Sequence, residues 1–304
     1  MVQLATKTLQ KINDILIKDQ GASFRGFLEK LMPHAGDAYS TDETPFRKHL
    51  GASLIGRKCS RELWYSFRWA RLVRHEGRMV RLFNRGHLEE PRFVAMLLAI
   101  GCQVWQFDQN NKQWRISDVF GHFGGSLDGV ALNIPDIPNE PCLTEFKTHS
   151  DKSFSNLVKA GVKIAKPEHY VQMQIYMRKM KLNYALYLAV NKNNDDIYGE
   201  IINVEIEIGD RYLDRAKFII LEQKVPEKIS NNPSWYECAF CDYKPICHGK
   251  DVPATNCRTC AFSTVHISGG GSWFCTKNSE FLTPEQQLNG CPQYKLNQEI
   301  KQSI

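Results

Sequence analysis

Seven of the ten cysteines of this chain fall between Cys238 and Cys291. The segment that carries them, from Pro226 onward, is rich in Pro, Gly, Asn and Cys and has few long periodic apolar runs. It holds too little apolar surface to form a core easily and so calls for a metal staple. The first twenty residues lack the basic-then-apolar pattern of a secretory signal. The longest apolar run, Phe93–Ile100, is far short of the ~20 residues that span a bilayer. A cytoplasmic chain with no membrane partner is therefore expected, and in a reducing compartment crowded cysteines read as metal ligands rather than disulfides.

The spacing sorts them. Cys238, Cys241 and Cys247 form C-x2-C-x5-C, three thiols of a four-ligand site with one position open. Cys257, Cys260, Cys275 and Cys291 form C-x2-C-x14-C-x15-C, which fits a tetrahedral Zn²⁺ site. A rival grouping takes Cys238, Cys241, Cys257 and Cys260 as C-x2-C-x15-C-x2-C, a zinc-ribbon spacing. The rival leaves Cys59, Cys247, Cys275 and Cys291 unused, so the first grouping is preferred. His248 and His266 are reserve ligands, while Cys102 and Cys142 lie in β-prone apolar surroundings and read as buried residues.

The rest of the 304 residues has the make-up of a folded protein, 42% hydrophobic and 24% charged, which excludes disorder and a collagen-like chain. A net charge of +6 permits a polyanionic partner without requiring one. Apolar spacing predicts a helix over Leu4–Lys18, a polar segment over Ala35–Thr44, and helical structure across 59–100. Short strands follow over Gln103–Phe107, Trp114–Ser117, Gly125–Asn133 and Cys142–Thr148. Then come a helix over Glu168–Lys181, strands over Tyr184–Val190 and Ile201–Ile208, and a helix over Asp210–Lys224. The order predicts an α/β core with an appended metal module. The expected domains are 1–250, the core, and 251–304, the four-cysteine zinc module.

Within the core, Glu145 and Lys147 sit two apart on one expected strand, so both project from one face and Phe146 from the other. Asp128, on the preceding strand, joins them if the chain returns as a hairpin. Two carboxylates and a main-chain carbonyl make a hard oxygen site suited to Mg²⁺ or Mn²⁺. A nearby ammonium can orient water or offset developing negative charge. Taken alone, Asp-Gly is also a common turn and Glu-x-Lys a common solvated stripe.

These residues carry a resemblance. Ser126-Leu127-Asp128-Gly129-Val130 followed by Thr144-Glu145-Phe146-Lys147-Thr148 resembles the signature of the PD-(D/E)XK nuclease superfamily. Upstream, Gly86-His87-Leu88-Glu89-Glu90-Pro91 is similar to the Gly-x-x-x-Glu helix motif of lambda-type phage exonucleases. Downstream, the stretch from Tyr170 to Tyr176 resembles the Gln-x-x-x-Tyr motif of RecB-type nucleases, and the elements stand in the family's order. The resemblance implies a restriction-endonuclease-like core, a mixed central sheet flanked by helices. It implies that Asp128, Glu145 and the Phe146 carbonyl bind Mg²⁺ or Mn²⁺, that Lys147 positions the attacking water, and that Glu90 reaches the metal directly or through water. His87, one turn earlier, is the reserve ligand, because some branches carry a histidine at the Glu90 position. Gln172 and Tyr176, one turn apart, contact the DNA backbone or steady the site.

Cys59 stands alone before an expected helix, far from the C-x2-C-x5-C run. That pairing resembles the iron staple of CRISPR-associated and AddAB-type nucleases. It implies a structural [4Fe–4S] cluster on Cys59, Cys238, Cys241 and Cys247, closing a long loop. The expected function is metal-dependent DNA hydrolysis, exonucleolytic, in recombination, repair or end processing, with a recombination or CRISPR-adaptation protein as partner. Two rivals are a catalytically silent DNA-binding adaptor of the same fold and a redox iron–sulfur enzyme. Arg68, Arg71, Arg74, Arg78, Arg81, Arg85 and Arg92, interleaved with Trp64, Tyr65, Trp69 and Phe83, are candidates to track a phosphate backbone, and the run Lys159–Lys166 is a candidate DNA-facing loop. Gly269–Gly271 reads as a hairpin tip.

Overall fold

A computed structural model describes residues 2–35, 46–110 and 112–303. The polar segment expected at Ala35–Thr44 lies, apart from Ala35, outside the described residues. The chain divides into two compact units, each assembled from three separated segments.

The first unit comprises Met1–Thr41, His75–Ile116 and Ser126–Asp210. Its elements in chain order are β1 (Gln3–Leu4), α1 (Thr6–Asp19), α2 (Ala22–Leu31), α3 (Gly77–Ala99), β2 (Gln103–Trp105) and β3 (Gly129–Leu132). They continue with β4 (Cys142–His149), α4 (Asp151–Ala165), α5 (Pro167–Met180), β5 (Tyr184–Asn191) and β6 (Ile197–Asn203). The strands form one mixed sheet in the order β1-β6-β5-β4-β3-β2. Only β4 and β5 run parallel; the other pairings along this sheet are antiparallel. A parallel pair needs a long crossover, and α4 with α5 supplies it. β5 is buried along almost its whole length, as a central strand covered on both faces should be.

One face of the sheet packs on α3. Phe93, Val94 and Leu97 of that helix meet Cys102, Ala131, Cys142, Phe146, Leu186 and Leu188 in one apolar core. The N-terminal helix is tied from a distance. Ala5 precedes α1 and offers no capping oxygen. Asp136, 128 residues beyond Thr8, accepts from the Thr8 amide at 2.8 Å and from the Thr8 hydroxyl at 2.6 Å, doing the work of an N-cap. α4 bends at Gly161, whose φ of 73° suits a residue without a Cβ. The Val162 amide freed at the bend donates to Glu200 Oε2 at 2.8 Å.

Several sequence expectations shift here. Residues 159–165 belong to α4 rather than a loop, with Lys163 paired to Glu205. The run Gly125–Asn133 is split between a strand at Phe123–Ser126 and β3, interrupted at Leu127 and Asp128. The alternation read across Ile201–Ile208 ends at Asn203, and a helix starts at Ile206.

The second unit comprises Asp42–Arg74, Ser117–Gly125 and Arg211–Ile304. A helix at Ser60–Phe67 begins directly after Cys59. A three-stranded antiparallel meander, Ser263–Val265, Trp273–Cys275 and Glu280–Leu282, carries Gly269–Gly271 in its first turn. Its core is a stack of cations on aromatics. The Arg68 guanidinium lies 4.4 Å from the Trp64 ring centre and 5.6 Å from that of Trp273. The Arg258 guanidinium lies 4.9 Å from Trp273 and 3.7 Å from Trp69. Arg68, Trp64, Tyr65 and Trp69 are therefore core residues, not a phosphate track; Arg68 is 1% exposed. Each buried charge meets π faces and carbonyl oxygens, the compensation a buried guanidinium requires.

Candidate active site

The site lies in the first unit, at the end of β4 and the turn before β3. Strand alternation sends Phe146 into the core, stacked on Phe93 with ring centres 5.2 Å apart. Glu145 and Lys147 take the opposite face. β3 pairs antiparallel with β4, Gly129 opposite Thr144, which brings Asp128 alongside Glu145. Gly129 permits the close pairing: a Cβ there would stand 3.0 Å from Thr144 Oγ1 and 3.2 Å from the Trp105 carbonyl. Asp128 Oδ2 accepts from the Phe146 amide at 2.7 Å.

Lys147 curls back along its strand. Its Nζ forms an ion pair with Glu145 Oε1, lies 3.9 Å from Asp128 Oδ2, and donates to the Phe146 carbonyl at 3.1 Å. From α5, Gln172 Nε2 donates to Glu145 Oε2 at 3.4 Å and to Tyr176 Oη at 3.5 Å. Gln172 and Tyr176 are both buried. α3 contributes Glu90, whose charge acts on Asp128, Glu145 and Lys147 alike. His87 Nδ1 lies 3.5 Å from Glu90 Oε1, and Glu89 turns to Arg92 at 3.0 Å. Pro91, next to Glu90 inside α3, lacks the N–H that would bond the His87 carbonyl.

The electrostatics are those of a crowded acidic site. Burial pushes the Asp128 carboxyl up to about 8; the Lys147 ammonium opposes this, and the charges of Glu145 and Glu90 add to it. Burial likewise raises Glu145 against the pull of Lys147. For Lys147 burial works to lower the pKa, but the carboxylates of Glu145 and Asp128 carry it above its ordinary value, so the ammonium keeps its charge. Three carboxyl groups thus face one ammonium. That surplus of hard anionic oxygen fits a divalent cation.

Three further residues adjoin this site and escaped the sequence reading. His149 follows Lys147 by two on the same face of β4, and its Nε2 lies 2.9 Å from Tyr187 Oη. His169 Nδ1 lies 3.0 Å from the same oxygen. Tyr187 stands opposite Glu145 in the β4–β5 register. Strand alternation carried on to His149, and helical spacing carried back from Gln172 to His169, are the signals that could have found them.

In the second unit the cysteines fall into two pockets. Cys59, Cys238, Cys241 and Cys247 line one of about 330 Å³ with Arg61, Tyr65 and His248. Arg61 Nη1 lies 3.8 Å from Cys247 Sγ. Cys257, Cys260, Cys275 and Cys291 line another of about 320 Å³. The ribbon grouping, which takes one pair from each pocket, is not the set brought together, and His266 lines neither. Burial raises the Cys241 and Cys257 thiols to about 12 and about 11, with neighbouring thiols of each set adding to the rise. Among the described residues, no three or more His, Cys, Asp or Glu side chains are posed together so as to hold a metal ion. Neither is any helix among them long and apolar enough to cross a membrane.

The chain is similar to several solved structures at low identity. SSO0001 is 17% identical, over 75% of this chain and 96% of that one, with a TM-score of 0.40. The alkaline exonuclease LHK-Exo from Laribacter hongkongensis is 16% identical, over 57% of this chain and 86% of that one, with a TM-score of 0.42. LHK-Exo in complex with dAMP is 15% identical over the same shares, with a TM-score of 0.40. No family model matches the chain, and neither does any curated protein.

Proposed function

We propose that this protein is a Mg²⁺- or Mn²⁺-dependent deoxyribonuclease of the PD-(D/E)XK type that hydrolyses DNA phosphodiesters exonucleolytically and leaves 5′-phosphate ends. The observation that carries this reading is Lys147 set between Glu145 and Asp128 beside the Phe146 carbonyl. A fold does not need two acids and an amine buried together at a strand end, and the arrangement strains the charge balance unless a cation completes it.

Asp128, Glu145, the Phe146 carbonyl and Glu90 are the groups that would hold the cation, with His87 in reserve. When bound, the ion would relieve charge on the phosphate and acidify water. Lys147 stays protonated, so it serves as a donor that orients the attacking water and offsets developing charge, not as the base. Gln172 steadies Glu145 by donating to its second oxygen, and Tyr176 takes up the other hydrogen of the same amide.

We assign Cys59, Cys238, Cys241 and Cys247 to a structural [4Fe–4S] cluster and Cys257, Cys260, Cys275 and Cys291 to Zn²⁺. The support is that each set lines one pocket. The positive charge of a bound metal would offset the cost that burial and mutual repulsion impose on the thiolate forms of each set. DNA with an accessible end is the substrate, and a recombination or CRISPR-adaptation protein is the partner class.

The test is degradation of end-labelled single- and double-stranded DNA by the purified full chain with Mn²⁺ or Mg²⁺. Release of 5′-mononucleotides by the wild type, lost in Lys147→Ala and Asp128→Asn, is expected. Wild-type-like digestion by either variant would defeat the reading.

A further inference from the structure

Beside the proposed catalytic groups runs a chain of side-chain hydrogen bonds that the proposed reaction does not use. Lys166 Nζ donates to Ser153 Oγ. Ser153 Oγ lies 3.3 Å from His149 Nδ1, His149 Nε2 lies 2.9 Å from Tyr187 Oη, and Tyr187 Oη lies 3.0 Å from His169 Nδ1. Tyr187 is fully buried and His149 is 7% exposed.

The direction of this chain follows from what each group can give. An ammonium has no acceptor, so Lys166 only donates. Ser153 accepts from it and keeps its own proton to donate, and the acceptor within reach is His149 Nδ1. His149 then carries its proton on Nε2 and donates to Tyr187. Tyr187 donates its O–H to His169 Nδ1. Each group from Lys166 to Tyr187 donates to the next, and successive bonds polarise one another in the same sense. The last ring, His169, is left with its proton on Nε2.

That Nε2 has no hydrogen-bond partner among the described residues, and it is not among the sealed, unsatisfied atoms of the interior. His169 precedes Gln172 by three and Tyr176 by seven on α5, so the three share one helix face. Its partner Tyr187 stands opposite Glu145 in the β4–β5 register, which sets the ring at the same site. A line of groups that is buried at His149 and Tyr187, fixes one tautomer and ends in an unused N–H suits a ligand oxygen.

We propose that His169 binds phosphate: its Nε2–H, set by the Lys166–Ser153–His149–Tyr187 chain, donates to a non-bridging backbone oxygen of DNA beside the bond being cleaved. His149 and Tyr187 are positioning residues that act through it. This inference deepens the nuclease reading and rests on it for the identity of the substrate.

The test compares His169→Leu, His169→Gln and Tyr187→Phe in the full chain, each checked for folding by circular dichroism and thermal melting. Binding is read by anisotropy of a fluorescein-labelled oligodeoxynucleotide with Ca²⁺ in place of Mg²⁺, and turnover with Mn²⁺. His169→Leu is expected to raise Kd and KM roughly tenfold or more with kcat changed far less, since a hydrogen bond to a charged oxygen is lost. His169→Gln, which keeps an N–H near the Nε2 position, should recover most of the affinity. Tyr187→Phe, which releases the tautomer, should fall between. Unchanged binding by folded His169→Leu overturns the proposal, and so does a Gln variant as impaired as the Leu variant. If the wild type binds DNA but never cleaves it, the nuclease reading fails while the binding series still judges His169. If the wild type does not bind DNA, both fall.

Discussion

The Phe146 amide and the Asp128 carboxylate, 18 residues apart in sequence, are joined by a hydrogen bond of 2.7 Å. One bond thus fixes a proposed metal-binding acid to the residue whose carbonyl would share the cation. The two roles of Asp128 can be separated. Asp128→Asn keeps an acceptor for the amide and loses the charge. Asp128→Ala loses both and leaves a part-buried N–H unpaired, at a cost of ~1–3 kcal/mol. Both variants should lose DNA hydrolysis by roughly two orders of magnitude or more, but only Asp128→Ala should show a lowered urea midpoint. Equal midpoints for the two would mean the bond does not hold the turn.

Lys147 and Glu145 form an ion pair in which Glu145 is fully buried. Removing one partner of a buried pair leaves the other uncompensated, at about 3–5 kcal/mol. Lys147→Met should therefore lower stability as well as abolish hydrolysis. Adding Glu145→Gln to it should return much of the stability and none of the activity. A double-mutant cycle by chemical denaturation of the metal-free protein measures the coupling; additive losses would show that the pair contributes nothing to the fold.

Much of this site was legible in the sequence for one physical reason. Strand alternation has a period of two, so Glu145 and Lys147 had to share a face once β4 was recognised, and the side chain of Phe146 had to go to the core. The helix spacing of Gln172 and Tyr176 is equally local. What escaped depends on pairing across the chain. α4, the first half of the crossover, has the apolar spacing of Phe154, Leu157 and Val162, but the lysines of its second half give the pattern of a DNA-facing loop. The arginines before Glu90 read as one cationic row, yet Arg68 is packed between Trp64 and Trp273. Only the partners of Arg68, two hundred residues away in the case of Trp273, distinguish a buried guanidinium from a solvated one. Arg258, with acceptors at Phe67, Lys48 and Gln287, left no local signal. The second unit is interleaved from three segments, and no periodicity within a segment announces that.

The two cysteine pockets make separable forecasts. Metal analysis of anaerobically purified protein should find about four iron and about one zinc per chain. Cys59→Ser should deplete iron and bleach the cluster absorption while sparing zinc, and Cys291→Ser should do the reverse. The ribbon grouping makes the opposite forecast: Cys241→Ser would lose zinc and Cys291→Ser would not. Zinc without iron in the wild type would refute the cluster assignment.

Acid should weaken the second unit through His122. This ring is fully buried and meets Phe67 and Trp273 edge to face, with centres 5.8 Å and 6.1 Å away. Burial lowers its pKa from 6.5 to about 4, only partly opposed by the hydrogen bond to the His266 carbonyl. The unfolded chain takes up a proton as pH falls through its ordinary value of 6.5, and the folded chain resists until about 4. Between those limits the unfolded state binds more protons, so stability must fall with falling pH. In the first unit His149, lowered to about 4 by burial and by the charges of Lys166, Lys147 and Lys192, contributes to the whole chain's stability with the same sign. Urea midpoints measured from pH 7 down to pH 4 should therefore decline, and His122→Gln, which does not titrate, should flatten part of that slope. An identical slope in the variant would mean that His122 charges as readily in the folded protein as in the unfolded chain.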